Sequence, residues 1–320
     1  MANACSAKPN ARCPSRPQTS CMNSIPNCLR QDPHPQTPRH RLPAGATDCH
    51  CHVFEDPAQY PLNDNRSYTP GLATIEQYEQ MCATVGLERT VQVNASIYGF
   101  DNRPTLDAIR KLGQHRARGV AGIAPQGSQA ELEALHEGGI RGVRVSTSVK
   151  GYGGTDAIGV LAARVKPMNW HIQVHLRSAN ELPALEETLL NTPVPLVIDH
   201  LGGIKGDEGI GHPGFKTLVR LLRQRDDVWC KLSSWYRRSK SGAPDFTDMI
   251  EPMRALIDAR PDRLVFGTNW PHPDLFPPSV VPNDGALVDQ FCDWVPEEDL
   301  RQRILVSNPA TLYGFEQGSR

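Results

Sequence analysis

A (β/α)8 barrel preceded by a disordered tail is the fold class this sequence predicts, on three observations. From Thr47 onward eight short β-branched or apolar runs alternate with longer helical stretches, the rhythm of parallel strands joined by crossover helices. No glycine fingerprint follows the first run, so a closed barrel is favoured over an open dinucleotide-binding sheet. A length of 320 residues is long for an ordinary domain but normal for one such barrel.

Taken in order, residues 1–45 hold eight prolines among Ser, Asn and Arg, with almost no acidic group and no hydrophobic period. Nothing there offsets the entropy of ordering the chain, so a disordered tail is expected. The prolines also oppose the amphipathic helix of a mitochondrial presequence, and no apolar core of a secretory signal is present. The apolar runs then predict strands at 47–54, 90–96, 119–125, 140–146, 171–176, 196–202, 228–234 and 264–270. Between them the helical patterns fall at 74–85, 104–112, 128–136, 157–165, 181–190, 215–224 and 248–259, and a pair at 284–294 and 297–305 closes the ring. Residues 46–320 are thus read as one barrel domain.

Composition narrows the function. Lys and Arg number 34 against 35 Asp and Glu, for a formal charge of −1, so no global field attracts nucleic acid or an anionic membrane. No run approaches the roughly 18 apolar residues that cross a bilayer. The nine cysteines form neither a regular framework nor a CxxC zinc pattern, and the expected compartment is the cytoplasm. The expected partner is a small molecule; oligomeric state is not legible.

In a barrel of this kind the chemistry sits where strands end. His50 and His52 close the first run two residues apart, and so project to one side of an extended backbone. Two such imidazoles can ligate a divalent metal or polarise a carbonyl. On the fifth strand His171 and His175 also share a face, but ~13 Å apart at ~3.3 Å per residue, so only His175 is placed at the site. His200 ends the sixth strand, with Asp199 read as its structural partner. Asn269 ends the eighth, where a hydrolase would use a carboxylate; an amide positions groups but accepts no proton. Arg144 stands near the end of the fourth strand, Lys150 follows that strand and Arg237 follows the seventh, cations suited to an acidic substrate. Tyr68, after the first strand, adds a phenolic hydrogen bond. If a metal binds, His50, His52 and His175 would hold it, with zinc the natural choice; because no carboxylate completes the charge balance, no cofactor is the first expectation.

Five segments carry a resemblance: Asp48-Cys49-His50-Cys51-His52-Val53-Phe54, Gly142-Val143-Arg144, Asp199-His200-Leu201-Gly202, Gly267-Thr268-Asn269-Trp270-Pro271-His272 and Asn308-Pro309-Ala310-Thr311-Leu312-Tyr313-Gly314-Phe315. Together they resemble the amidohydrolase-2 branch of the amidohydrolase superfamily, over residues 46–315. Within it the chain is most similar to the 2-pyrone-4,6-dicarboxylate hydrolases and related lactonases. The resemblance implies an amidohydrolase-type barrel that hydrolyses a small acidic lactone of the pyrone-dicarboxylate or muconolactone kind, often without metal, in aromatic-acid or sugar-acid catabolism. Carried over by position, it implies that His50, His52 and His200 polarise the lactone carbonyl while Tyr68, Arg144, Lys150 and Arg237 hold its carboxylates. Asn269 departs from the pattern, standing where the family's general-base aspartate is expected. Two alternatives therefore stand beside hydrolysis: a sugar-acid lactone isomerase of the galactarolactone type, which needs no attacking water, and a catalytically silent barrel that binds lactones or acids.

Overall fold

The computed structural model describes Met1 and residues 25–316. Eight parallel strands, in the order β1 to β8, form one sheet: Thr47–Cys51, Arg89–Val93, Ala117–Ala121, Ile140–Ser146, His171–His175, Leu196–Ile198, Val228–Ser233 and Leu264–Gly267. The ring closes where β1 meets β8. There a parallel bridge joins Cys51 to Trp270, and the main-chain N–H groups of His52 and Asn269 donate to Trp270 O (2.8 Å) and His50 O (2.7 Å).

Helices α1 Ile75–Val85, α2 Arg103–Leu112, α3 Gln129–Glu137, α4 Ile158–Val165, α5 Leu182–Asn191 and α6 Pro213–Gln224 cover the first six strands. A single turn, α7 Trp235–Arg238, precedes α8 Ile250–Ala259; α9 Asp284–Trp294, α10 Glu298–Gln302 and α11 Asn308–Tyr313 complete the chain. Local signals set these limits. Thr74 and Gln77 form a reciprocal capping box at the start of α1, and Gly86 ends it at φ 86°, a left-handed conformation that costs glycine little. On α2 the buried positions Pro104, Thr105, Ala108, Ile109 and Leu112 recur at helical spacing and seat one stripe on the sheet.

Inside the barrel, Cys49, Val91, Val93, Val120, Val197, Trp229 and Val265 form an apolar floor, which Ala310 and Tyr313 of α11 and Phe315 plug from below. The sequence expected a tail continuing to residue 45, but from residue 25 the chain lies against the barrel. Cys28 N–H donates to Thr69 O (3.0 Å) and Leu29 N–H to Leu275 O (2.8 Å). Arg39 and His40 donate from their main chain to the Asp289 carboxylate on α9. These bonds are made by backbone groups and isolated side chains, so they leave no hydrophobic period to read. The remainder of the expected tail, residues 2–24, lies outside the described residues. Among the described residues no helix is long and apolar enough to cross a membrane.

Candidate active site

The His50/His52 pair owes its placement to a bulge. Between Asp48 and Cys51 three steps of β1 stand against two of β2, and such an insertion re-aims side chains beside a site. Asp48 faces outward, where Tyr78 of α1 and the Thr268 hydroxyl donate to its Oδ2 at 3.0 and 2.6 Å, and Thr268 N–H to its Oδ1 at 3.0 Å. His50 and His52 turn inward, their rings 5.0 Å apart and edge to face. Burial lifts the Asp48 carboxyl to about 6, against the pull of its hydrogen bonds from Thr268.

A charged layer lies between the apolar floor and the barrel mouth. Asp199, directly after β6, accepts from Arg144 Nε (3.0 Å) and Nη2 (2.8 Å) and from Gln173 Nε2 (3.0 Å). Lys231 of β7 is fully buried; its ammonium donates to Gln173 Oε1 (2.7 Å) and His50 Nδ1 (3.2 Å) and lies 3.6 Å from Asp199. Burial would raise the Asp199 carboxyl, but Arg144, His50 and Lys231 hold it well below the usual carboxylate range. Stranding one partner of such a buried pair costs about 3–5 kcal/mol.

Above this layer a cavity of about 280 Å³ is lined by His52, Tyr68, Arg144, His175, His200, Arg237 and Asn269, together with Ser96, Val149, Pro273 and Asp274. Seven of the nine residues singled out from sequence therefore line one cavity. The other two do not. His50 is wholly buried one layer below, its ring 4.6 Å from that of His200. Lys150 is exposed; its main-chain N–H is held by Ser67 Oγ (2.9 Å), and Val149 fills the lining instead. A larger outer cavity of about 1220 Å³ opens from this one, sharing His175, Arg237 and Asp274 and adding Arg177, Tyr236 and Arg238. Arg237 is already paired with Asp274 at 3.0 Å.

The imidazoles are chemically distinct. Burial, reinforced by Arg144, pushes His52 down to about 3, so near neutrality it is uncharged. Its Nδ1 lies 2.8 Å from Val93 O; a carbonyl only accepts, so the proton is on Nδ1 and Nε2 keeps a free lone pair. His200, held well below its ordinary value by burial and by His50, has Nδ1 2.7 Å from the buried Ser233 hydroxyl. When that hydroxyl donates to Nδ1, the His200 hydrogen stands on Nε2. His50 Nδ1 lies between the Lys231 ammonium (3.2 Å) and Asp199 Oδ1 (3.3 Å), and its buried Nε2 has no hydrogen-bond partner.

A second chain of groups reaches the cavity from the barrel wall. Asn269 Nδ2 donates to Tyr236 Oη (3.0 Å), which lies 2.8 Å from His272 Nδ1; His272 Nε2 stands 3.2 Å from Asp284 Oδ1 at the start of α9. His272 and Asp284 have no exposed surface. Asn269 and His272 sit at φ 61° and 62°, conformations that non-glycine residues rarely keep away from functional sites.

Sequence reasoning missed Lys231 and Tyr236. A lysine inside the apolar run Val228-Trp229-Cys230-Lys231-Leu232 was a usable signal, since barrel strands are buried on both faces. Tyr236 had none, because α7 is too short to carry a period.

Ligand atoms of His50, Asp199 and His200 lie within 4.8 Å of one another, so among the described residues they, rather than the expected His50, His52 and His175, form the compact group able to hold a metal. By donor type they suit a divalent ion. By charge they do not: Asp199 is already matched by Arg144 and Lys231, and a dication would enter beside two fixed cations.

Comparison with known proteins adds relatives. The profile of the amidohydrolase family matches residues 47–315. A 4-sulfomuconolactone hydrolase of Hydrogenophaga intermedia is 35% identical over 90% of this chain and 95% of its own length. A 2-pyrone-4,6-dicarboxylate hydrolase of Comamonas testosteroni is 34% identical over 93% and 99%. Among solved structures, a ligand-free Agrobacterium tumefaciens protein superposes with a TM-score of 0.80 at 24% identity, over 89% of this chain and 99% of that one, a likeness of fold.

Proposed function

The chain belongs to the amidohydrolase family, and from that premise we propose that it hydrolyses the ester bond of a small carboxylated lactone. The observation that carries this reading is a pair of histidines with different partners in one cation-lined cavity: Val93 O leaves His52 Nε2 a lone pair, and the Ser233 hydroxyl at His200 Nδ1 lets His200 Nε2 carry an N–H. Arg144, Arg237 and Tyr68 bind the substrate's carboxylate or sulfonate groups. Burial keeps the Tyr68 hydroxyl protonated, as a donor. His200 Nε2–H is directed at the carbonyl oxygen, where a preorganised donor contributes roughly 2.7–4 kcal/mol to the transition state. His52 Nε2 accepts the proton of the attacking water, the task Asn269 cannot perform. Asn269 orients that water through its amide oxygen, one of its two Nδ2 hydrogens being committed to Tyr236. His175 lines the rim, and His50 supports His200 from below. The two relatives named for lactone hydrolysis support the substrate class, and the charge balance around Asp199 supports catalysis without metal.

A panel of pyrone-dicarboxylate, muconolactone and aldarate lactones, followed by NMR with and without a chelator, tests the reading. A ring-opened acid formed at the same rate in both arms is expected. A lactone whose acyl link has moved without gain of water, or saturable binding without turnover, would overturn it.

A further inference from the structure

Opening a lactone requires a second proton transfer, to the ring oxygen as it departs, and no group has yet been assigned to it. The unassigned chain of Tyr236, His272 and Asp284 ends at the cavity through Asn269. Resting on the lactone-opening reading, we propose that Tyr236 gives its proton to the departing ring oxygen, with His272 and Asp284 as positioning residues.

The geometry is that of a held phenol. Tyr236 Oη receives the Asn269 Nδ2–H at 3.0 Å and faces His272 Nδ1 at 2.8 Å. Burial alone would lower the His272 imidazole, but Tyr236 and Asp284 beside it raise it to about 9. The buried Asp284 carboxylate 3.2 Å from Nε2 favours the imidazolium form, whose Nδ1–H then donates to Tyr236. Neither Asp284 oxygen has a hydrogen-bond partner, which leaves His272, 3.2 Å away, to offset the buried charge. With two N–H groups aimed at its oxygen, the tyrosine hydrogen is free to point into the outer cavity that Tyr236 lines beside His175 and Arg237.

The step balances. Water adds to the carbonyl carbon as one proton passes to His52 Nε2. On collapse the bond from carbonyl carbon to ring oxygen breaks, its electron pair stays on that oxygen, and the oxygen takes the Tyr236 proton. The phenolate is held by the His272 and Asn269 N–H groups until the proton on His52 returns to it through solvent.

The test is a series of carboxylated lactones and matching aryl esters whose leaving oxygens range from alcohol to activated phenol. Tyr236→Phe should lose about 100-fold or more in kcat on the alcohol-leaving members and stay within a few fold on the activated phenols, with KM little changed. His272→Gln should show a smaller loss with the same dependence on the leaving group, and it carries the test if the phenylalanine variant does not fold. An equal loss across the series would reduce these residues to scaffolding, and no loss would overturn the proposal. Failure of the wild-type protein to open any member would instead sink the lactone-opening reading.

Discussion

Val93 O and Ser233 Oγ decide more about the chemistry of the barrel mouth than the histidines they touch. Val93 O draws the His52 proton to Nδ1, and a Ser233 hydroxyl donating to His200 Nδ1 gives the opposite tautomer, the base and the donor of the proposed reaction. His52→Gln should therefore lower kcat by about 100-fold or more, and adding Asn269→Asp should restore part of that loss by returning a carboxylate to the cavity. Steady-state kinetics of the single and double variants check this; a double variant no faster than His52→Gln alone would remove the argument that His52 stands in for an aspartate. The residue types of the site were legible because strand ends concentrate chemistry. Proton positions were not, because they depend on a carbonyl of β2 and a hydroxyl of β7 that lie 41 and 33 residues away along the chain. Lys150 was misjudged for the same kind of reason: the loop after β4 turns its side chain to solvent, and no spacing rule reports that.

At the level of elements, β1 and β8 make the seam on which the site is hung. A Cβ on Gly267 would lie 2.7 Å from His50 Cβ and 3.0 Å from His50 N, so the two strands meet this closely only because β8 ends in glycine. Gly267→Ala should cost about 1–3 kcal/mol of stability by overpacking, read from denaturant unfolding, and should impair turnover by shifting His50 and Asn269. Unchanged stability would mean that the seam is loose. The eight strands were found from their apolar runs because burial on both faces leaves that mark. Their C-terminal ends were overestimated at every strand but β4; at β1 and β8 the expected 47–54 and 264–270 shorten to Thr47–Cys51 and Leu264–Gly267, and beyond β8 the chain leaves the extended conformation, with Asn269 at φ 61°. The single turn of α7, which presents Tyr236 and Arg237, was beyond reach of any periodicity.

The whole molecule carries its buried imidazoles as a pH-dependent load. His52, at about 3 against 6.5 in the unfolded chain, contributes stability that is present above 6.5 and lost as the pH falls toward 3. His50, His175 and His200, lowered in the same direction chiefly by burial, act alike. His272, raised to about 9, does the reverse: its contribution is full below 6.5 and lost as the pH rises through 9. Asp48, raised to about 6 from 3.8, also favours the acid side, but one carboxyl faces several imidazoles. Tm should peak near pH 6.5, falling steeply toward pH 4 and gently toward pH 9 in a calorimetric series. A Tm that rises on acidification would show that the imidazoles are already charged in the fold.

The stretch that precedes the barrel joins two loops of its mouth that are distant along the chain. Cys28 is tied to Thr69, next to Tyr68, and Leu29 to Leu275, next to Asp274, so this short lace spans the loops that follow β1 and β8. A domain boundary drawn at the first strand, the natural choice from the apolar pattern, would cut it. The excised barrel could keep its core and its histidines, yet its entrance would be a different shape, with Tyr68 and the Arg237–Asp274 pair no longer held in register with each other.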